Sequence, residues 1–131
     1  MSHFSEVKTK MTETKYLKDA LKALGFNLVE SEIPVQVRGF FGESVQAEFK
    51  VTTSTHYDIG FVKGENGSYE VVGDWELLPQ VSQIEREPFL AAVKRQYAKT
   101  AIEAIAKSQG YEISMVEDEE NQTTEMVVTQ W

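Results

Sequence analysis

The stretch VQAEFKV, residues 45–51, decides the fold class. Val45, Ala47, Phe49 and Val51 alternate with Gln46, Glu48 and Lys50. A period of two with one apolar and one polar side is a strand buried on one face only, the habit of antiparallel sheets. The following residues extend the pattern. Tyr57, Ile59 and Phe61 point one way, the chain turns at Gly64, Glu65, Asn66 and Gly67, and Tyr69 and Val71 follow. Because an Asn-Gly pair accepts positive φ, a β-hairpin is expected here.

Working outward toward the N-terminus, Pro34 at the head of Val35–Phe41 predicts a short or edge strand. Gly39, Phe40, Phe41 and Gly42 predict a bulge or bend after it, and Phe26, Leu28 and Glu30 a strand before it. Leu17, Leu21 and Leu24 recur at helical spacing, with Thr12 as the expected cap, Glu13 in the first turn and Gly25 as the stop. Phe4 and Val7 predict a first strand over about 3–10. Toward the C-terminus, Gly73, Asp74, Trp75 and the Leu77–Pro79 stretch read as a connector. Pro88 is placed as the first residue of a helix over about 88–108. Phe89, Val93, Tyr97, Ala101, Ala104 and Ile105 form its apolar side, and Gly110 ends it. Tyr111, Ile113 and Met115, then Thr123–Trp131, give two last strands.

The expected architecture is a single domain, 1–131, of the α+β class. It is a mostly antiparallel, curved sheet of about six to eight strands with two helices packed on one face. The other sheet face is then solvated or covered by a second subunit.

Composition excludes several kinds of chemistry. With no cysteine, the chain supplies no disulfide, thiolate nucleophile, zinc-finger ligand or iron–sulfur ligand. Histidine occurs only at His3 and His56. Ser54, Thr55, His56 and Asp58 invite a nucleophile–base–acid reading, but residues so close along one turn cannot all converge on one point. An ordinary hydroxyl-rich turn is the better reading, and a metal site at His56 and Asp58 lacks a third ligand. Phosphate-binding loops are absent from the sequence. No catalytic, cofactor-binding or metal-binding residue is assigned, and no cofactor is expected.

Charge is more informative. The net charge is −8. Residues 111–131 hold six acids and no Lys or Arg, whereas the other 15 acids and all 13 bases leave 1–110 at −2. The densest run, Glu117, Asp118, Glu119 and Glu120, reads as a solvated hairpin tip or an acidic contact surface. Lys94, Arg95 and Lys99 form a small basic patch on the long helix. It is a solvated face, or a dock for an acidic partner such as a ferredoxin or the acidic tail of another copy. Trp75 is a lid on the core or a partner anchor, and Trp131 is open to the same two readings. No basic stripe suited to phosphate backbones is found, which argues against nucleic acid. No apolar run spans a bilayer, and Met1–Lys10 lacks the apolar region of a secretory signal.

Certain residues stand in a familiar order. Met1, Ser2, His3, Phe4 and Ser5, then Val7, Lys8 and Thr9, open the chain. Asp58-Ile59-Gly60-Phe61, Gly67-Ser68-Tyr69-Glu70 and Gly73-Asp74-Trp75 follow, then Gln96-Tyr97-Ala98, Gly110 and Trp131. In this order and spacing the chain resembles, over essentially its whole length, a small conserved open-reading-frame family of cyanobacteria and algal plastids, a domain of unknown function. The resemblance implies a location, the cyanobacterial cytoplasm or the plastid stroma. It implies no activity, cofactor or catalytic residue. The expected function is therefore a non-enzymatic accessory or adaptor protein with a protein partner, a homo-oligomer among the alternatives. The rival is a small-ligand-binding domain or small enzyme with a pocket lined by Phe40, Phe41, Tyr57 and Trp75.

Overall fold

The computed structural model describes residues 4–39, 44–118 and 123–130. Its elements are β1 (Ser5–Lys8), α1 (Thr14–Ala23), β2 (Asn27–Arg38), β3 (Ser44–Thr52), β4 (Asp58–Lys63), β5 (Tyr69–Gly73), α2 (Leu78–Ser82), α3 (Arg86–Ser108), β6 (Tyr111–Asp118) and β7 (Thr123–Gln130). β1 to β5 form an antiparallel sheet in the order β1-β5-β4-β3-β2. The α+β class is as expected. The strands divide differently from the single sheet of six to eight: five lie in the main sheet, and β6 and β7 pair only with each other.

The β4–β5 hairpin turns where the sequence places it. Gly67 takes φ +83°, its N–H reaches the Gly64 carbonyl at 3.0 Å, and the Gly64 N–H reaches the Ser68 carbonyl at 2.8 Å. Glycine alone carries the left-handed conformation there, so the turn is the three-residue kind rather than a two-residue Asn-Gly turn.

Helix boundaries shift for identifiable reasons. α1 begins at Thr14, and its N-cap Glu13 makes no side-chain cap bond. The chain entering it is held instead by Tyr97 of α3, whose hydroxyl accepts from the N–H groups of Thr12 (3.3 Å) and Glu13 (3.0 Å). α3 begins at Arg86, two residues before Pro88, because proline lacks only an N–H that the first turn leaves unbonded anyway. Part of the connector after Trp75 winds into α2, opened by a turn in which the Leu77 and Leu78 N–H groups donate to the Asp74 carbonyl.

The main core lies between the sheet and the helices. Phe49, Val51, Ile59, Phe61, Tyr69 and Val71 meet Leu17 and Leu21 of α1, Phe89, Leu90 and Val93 of α3, and Met11, Trp75 and Leu78. The phenyl rings of Phe49 and Phe61 stack with centroids 5.0 Å apart.

The opposite face departs from expectation. Sequence pattern suggests two short strands around Pro34; the structure has one, β2, at the sheet edge. Its pairing with β3 slips between Glu30 and Val35: Glu30 faces Phe49 and Val35 faces Ala47, so four residues, Ser31–Pro34, stand opposite Glu48 alone. This bulge, with its proline, bends the arm made by the ends of β2 and β3. The arm folds over the sheet face away from the helices, where Asp58 and Gly60 alternate with the core-facing Ile59 and Phe61. A Cβ placed on Gly60 would overlap the Val37 side chain. Val35, Val37 and Ala47 are buried there, with Phe4, Val29, Val45 and Val62 packed around them. The chain's own arm thus covers part of the face that a second subunit or solvent was expected to cover.

Candidate functional site

The hydroxyl-rich turn before β4 is held by its own bonds. The Thr53 hydroxyl bonds the Thr55 hydroxyl (2.6 Å) and donates to the Tyr57 carbonyl (2.8 Å). It also accepts from the Thr55 N–H (3.1 Å). His56 sits exposed at this turn, while Asp58 is fully buried and directed elsewhere. Its Oδ2 accepts from the Arg38 backbone N–H (2.8 Å), Arg38 Nε (2.9 Å) and Lys50 Nζ (2.9 Å), and its Oδ1 accepts from Arg38 Nη2 (2.8 Å). Lys50 Nζ also donates to the Gln36 carbonyl at 2.6 Å. Burial alone would push the Asp58 carboxyl up. The bonds from Arg38 and Lys50 more than offset it and hold the group below the usual carboxylate range. Arg38 is raised in turn by its bond to Asp58. The three bonds from Arg38 tie the folded arm to the start of β4, and Lys50, on the sheet part of β3, bridges Asp58 to the arm's Gln36 carbonyl. The sequence signals neither Arg38 nor Lys50 as its partners, because both lie on other strands.

Among the described residues, the groove between the start of α1 and the β2 bulge is open to solvent and has a volume of about 430 Å³, with Thr14, Lys18, Ile33, Pro34, Phe49 and Tyr69 among its lining. The Tyr69 and Thr14 hydroxyls are bonded at 2.6 Å on its wall. Of the four residues expected to line a pocket, Phe40, Phe41, Tyr57 and Trp75, the described residues include two. Tyr57 and Trp75 pack on the main core, Trp75 8% exposed with its ring 5.9 Å from that of Phe89, and Phe40 and Phe41 lie outside the described residues. Among the described residues no group of three or more His, Asp or Glu side chains is placed to hold a metal ion.

The long helix carries the remaining candidates. α3 is 23 residues, about 35 Å, yet its buried side chains are confined to Phe89, Leu90 and Val93 in the first half. Lys94 and Arg95 are exposed and Lys99 is half-buried, so the predicted patch is divided. Continuing from Lys94 and Arg95 at helical spacing, Ala98, Ile102 and Ile105 are exposed as well, the two isoleucines by 40% and 52%. Ile105 was expected on the apolar inner side. Ala101 and Ala104 hold that line, and Ile105 sits one residue, 100°, further round. The outer side of α3 is thus a stripe of mixed basic and aliphatic residues, and the sequence hid it because Ile105 passed for core and Ile102 for neither side.

Beyond Gly110, whose φ is +82°, β6 and β7 pair in the register Tyr111–Gln130 through Asp118–Thr123. Glu117 and Asp118 close β6, at the end of the hairpin where the acidic run was expected. Glu119, Glu120 and Trp131 lie outside the described residues. No helix among the described residues is long and apolar enough to cross a membrane.

Comparison with known proteins points to one family. The model of the family described as "Protein of unknown function (DUF1257)" matches residues 20–127. Proteins named "Uncharacterized protein ycf35" match end to end. That of Cyanophora paradoxa is 29% identical over 131 residues, covering 100% of this chain and 98% of the relative. That of Guillardia theta is 29% identical over 133 residues and that of Pyropia yezoensis 28% over 131, each with the same two coverages. No solved structure matches. The expected kinship with an uncharacterised open-reading-frame family of cyanobacteria and algal plastids is met, and the chain belongs to the DUF1257 family.

Proposed function

We propose that this chain is a non-enzymatic accessory protein that works by holding a protein partner, in the cyanobacterial cytoplasm or the plastid stroma. The observation that carries the reading is the outer stripe of α3. Two isoleucines stand 40% and 52% exposed beside Lys94 and Arg95 on a helix whose opposite side is already packed. An apolar patch rimmed by charge is the common mark of an interaction surface. The side chains that most resembled a catalytic group support the same reading, since the Asp58 carboxylate accepts four bonds, three from Arg38 of the arm and one from Lys50.

The test is affinity capture from a native lysate, run side by side with wild type and an Ile102→Asp, Ile105→Asp double variant. A protein enriched by the first and lost from the second supports the reading. Identical captured sets would contradict it.

A second reading has one observation in its favour. The groove of about 430 Å³ at the β2 bulge sets the bonded Thr14 and Tyr69 hydroxyls beside Phe49, Ile33 and Pro34, a polar pair on an apolar wall that suits a small ligand. A small-molecule library that raises the melting temperature of wild type, but not of a Thr14→Val variant, would favour it over the docking reading.

A further inference from the structure

The outer side of α3 repeats with the spacing of a helix–helix seam. Ala91, Arg95, Ala98, Ile102 and Ile105 follow one another at steps of four, three, four and three residues, and every one of them is exposed. Steps of this kind keep one line of side chains against a second helix. A face turned only to water is ordinarily charged and polar. Here all but Arg95 are aliphatic, and the two isoleucines stand 40% and 52% exposed. The line is also graded in size. Ala91 and Ala98 leave shallow places that another side chain can enter, whereas Ile102 and Ile105 stand out as knobs. Charge then selects the occupant. From Pro88 to Ile102 the helix holds Lys94, Arg95 and Lys99 and no acid, in a chain whose net charge is −8. Lys94 and Arg95 lie exposed at the alanine end of the line, and Lys99 is half-buried beside it. A second α3 laid over Ala98, in either direction, would set these bases against their own copies, a like-charge contact that disfavours it.

We infer that the outer stripe of α3 takes an acidic, amphipathic α-helix of another protein. This rests on the binding-protein reading and names the kind of partner it holds. Large aliphatic side chains of the partner helix sit over Ala91 and Ala98, small ones lie against Ile102 and Ile105, and Asp or Glu residues beside the large ones meet Lys94 and Arg95. From Ala91 to Ile105 is about 21 Å along the axis, so a partner helix of about four turns covers the line. A helix that short is marginal alone in water, so the segment is held in its own fold or winds up as it docks. The opposite charges set its register and direction, and association weakens as salt rises.

Fluorescence anisotropy of labelled synthetic peptides of about 18 residues, titrated with the full chain, tests the proposal. One peptide carries leucines and alanines at heptad spacing with Glu beside them. A second scrambles the same residues to destroy the spacing, and a third replaces each Glu by Lys. The first is expected to bind wild type at micromolar concentrations, to gain helical circular dichroism on binding, and to bind more weakly as salt rises. The second and third should bind about tenfold more weakly or worse. Ile102→Asp with Ile105→Asp, and separately Lys94→Glu with Arg95→Glu, should each weaken the first peptide by on the order of tenfold or more. All these positions are exposed, and circular dichroism of each variant alone checks that it folds. The decisive arm is a reversal: Lys94→Glu, Arg95→Glu chains should prefer the Lys peptide to the Glu peptide. No binding of the first peptide at about 1 mM overturns the proposal. So does equal binding of the scrambled peptide, or a preference that fails to reverse. Sedimentation showing a dimer that the isoleucine substitutions break would put a second copy on the stripe and overturn it as well. If the peptides fail while capture from the lysate still depends on Ile102 and Ile105, this inference falls alone and the binding-protein reading stands.

Discussion

Asp58 has no solvent contact, so its charge depends entirely on Arg38 and Lys50. Removing the carboxylate would strand Lys50, 12% exposed, and Arg38, 43% exposed. Asp58→Ala should therefore destabilise by on the order of 3 kcal/mol, less than for a fully buried pair because water can reach Arg38. The sign of the pH dependence follows from the depressed carboxyl. The contribution is complete above the unfolded-chain value, about 4, and is lost as pH falls through the lower folded value. Acid unfolding of wild type should thus set in below about pH 4, and the Asp58→Ala variant should lack that part of the pH dependence. Chemical denaturation from pH 2 to 7 checks both. Sequence could not show this, because proximity along the chain pairs Asp58 with His56, whereas its partners stand 20 and 8 residues away.

Among the elements, those governed by local chemistry were legible. The alternation of β3, the glycine turn of β4–β5 and the stops at Gly25 and Gly110 all appear where residue type demands them. What was hidden depends on tertiary context. The slip at Ser31–Pro34 shows in the sequence only as a proline, and nothing local says that the strand resumes beyond it and bends over the sheet. Gly60 records the consequence, since Val37 occupies the space of a side chain there. Gly60→Ala should cost about 1–3 kcal/mol by pushing the arm away, despite the higher strand propensity of alanine. A thermal melt decides it: an unchanged midpoint would mean that the arm does not seat on β4. The outer stripe of α3 was half legible, Lys94 and Arg95 as a patch, the isoleucines not at all, because a mostly buried helix and a half-exposed one share the same spacing.

For the molecule as a whole, one packed cluster links α1, α3 and the strands from β3 to β5, and we expect residues 1–131 to unfold as a single domain. Phe49 sits at its centre, 1% exposed, stacked on Phe61 and 5.5 Å from the ring of Tyr69, with Lys18 Nζ 5.1 Å above its own ring. Phe49→Ala should cost about 3–5 kcal/mol and shift one cooperative transition rather than split it. Calorimetry would expose a second transition if the α3–hairpin end folds apart. The claim that matters most is that the outer stripe of α3 is occupied when the protein works. The most direct measurement places a photo-crosslinking side chain at Ile102 in the native host, with the same group at the exposed hairpin residue Glu65 as the control. The account predicts a discrete covalent adduct from position 102, to a second copy or another protein, and none from position 65. Position 102 yielding no adduct, or only what position 65 yields, would contradict it.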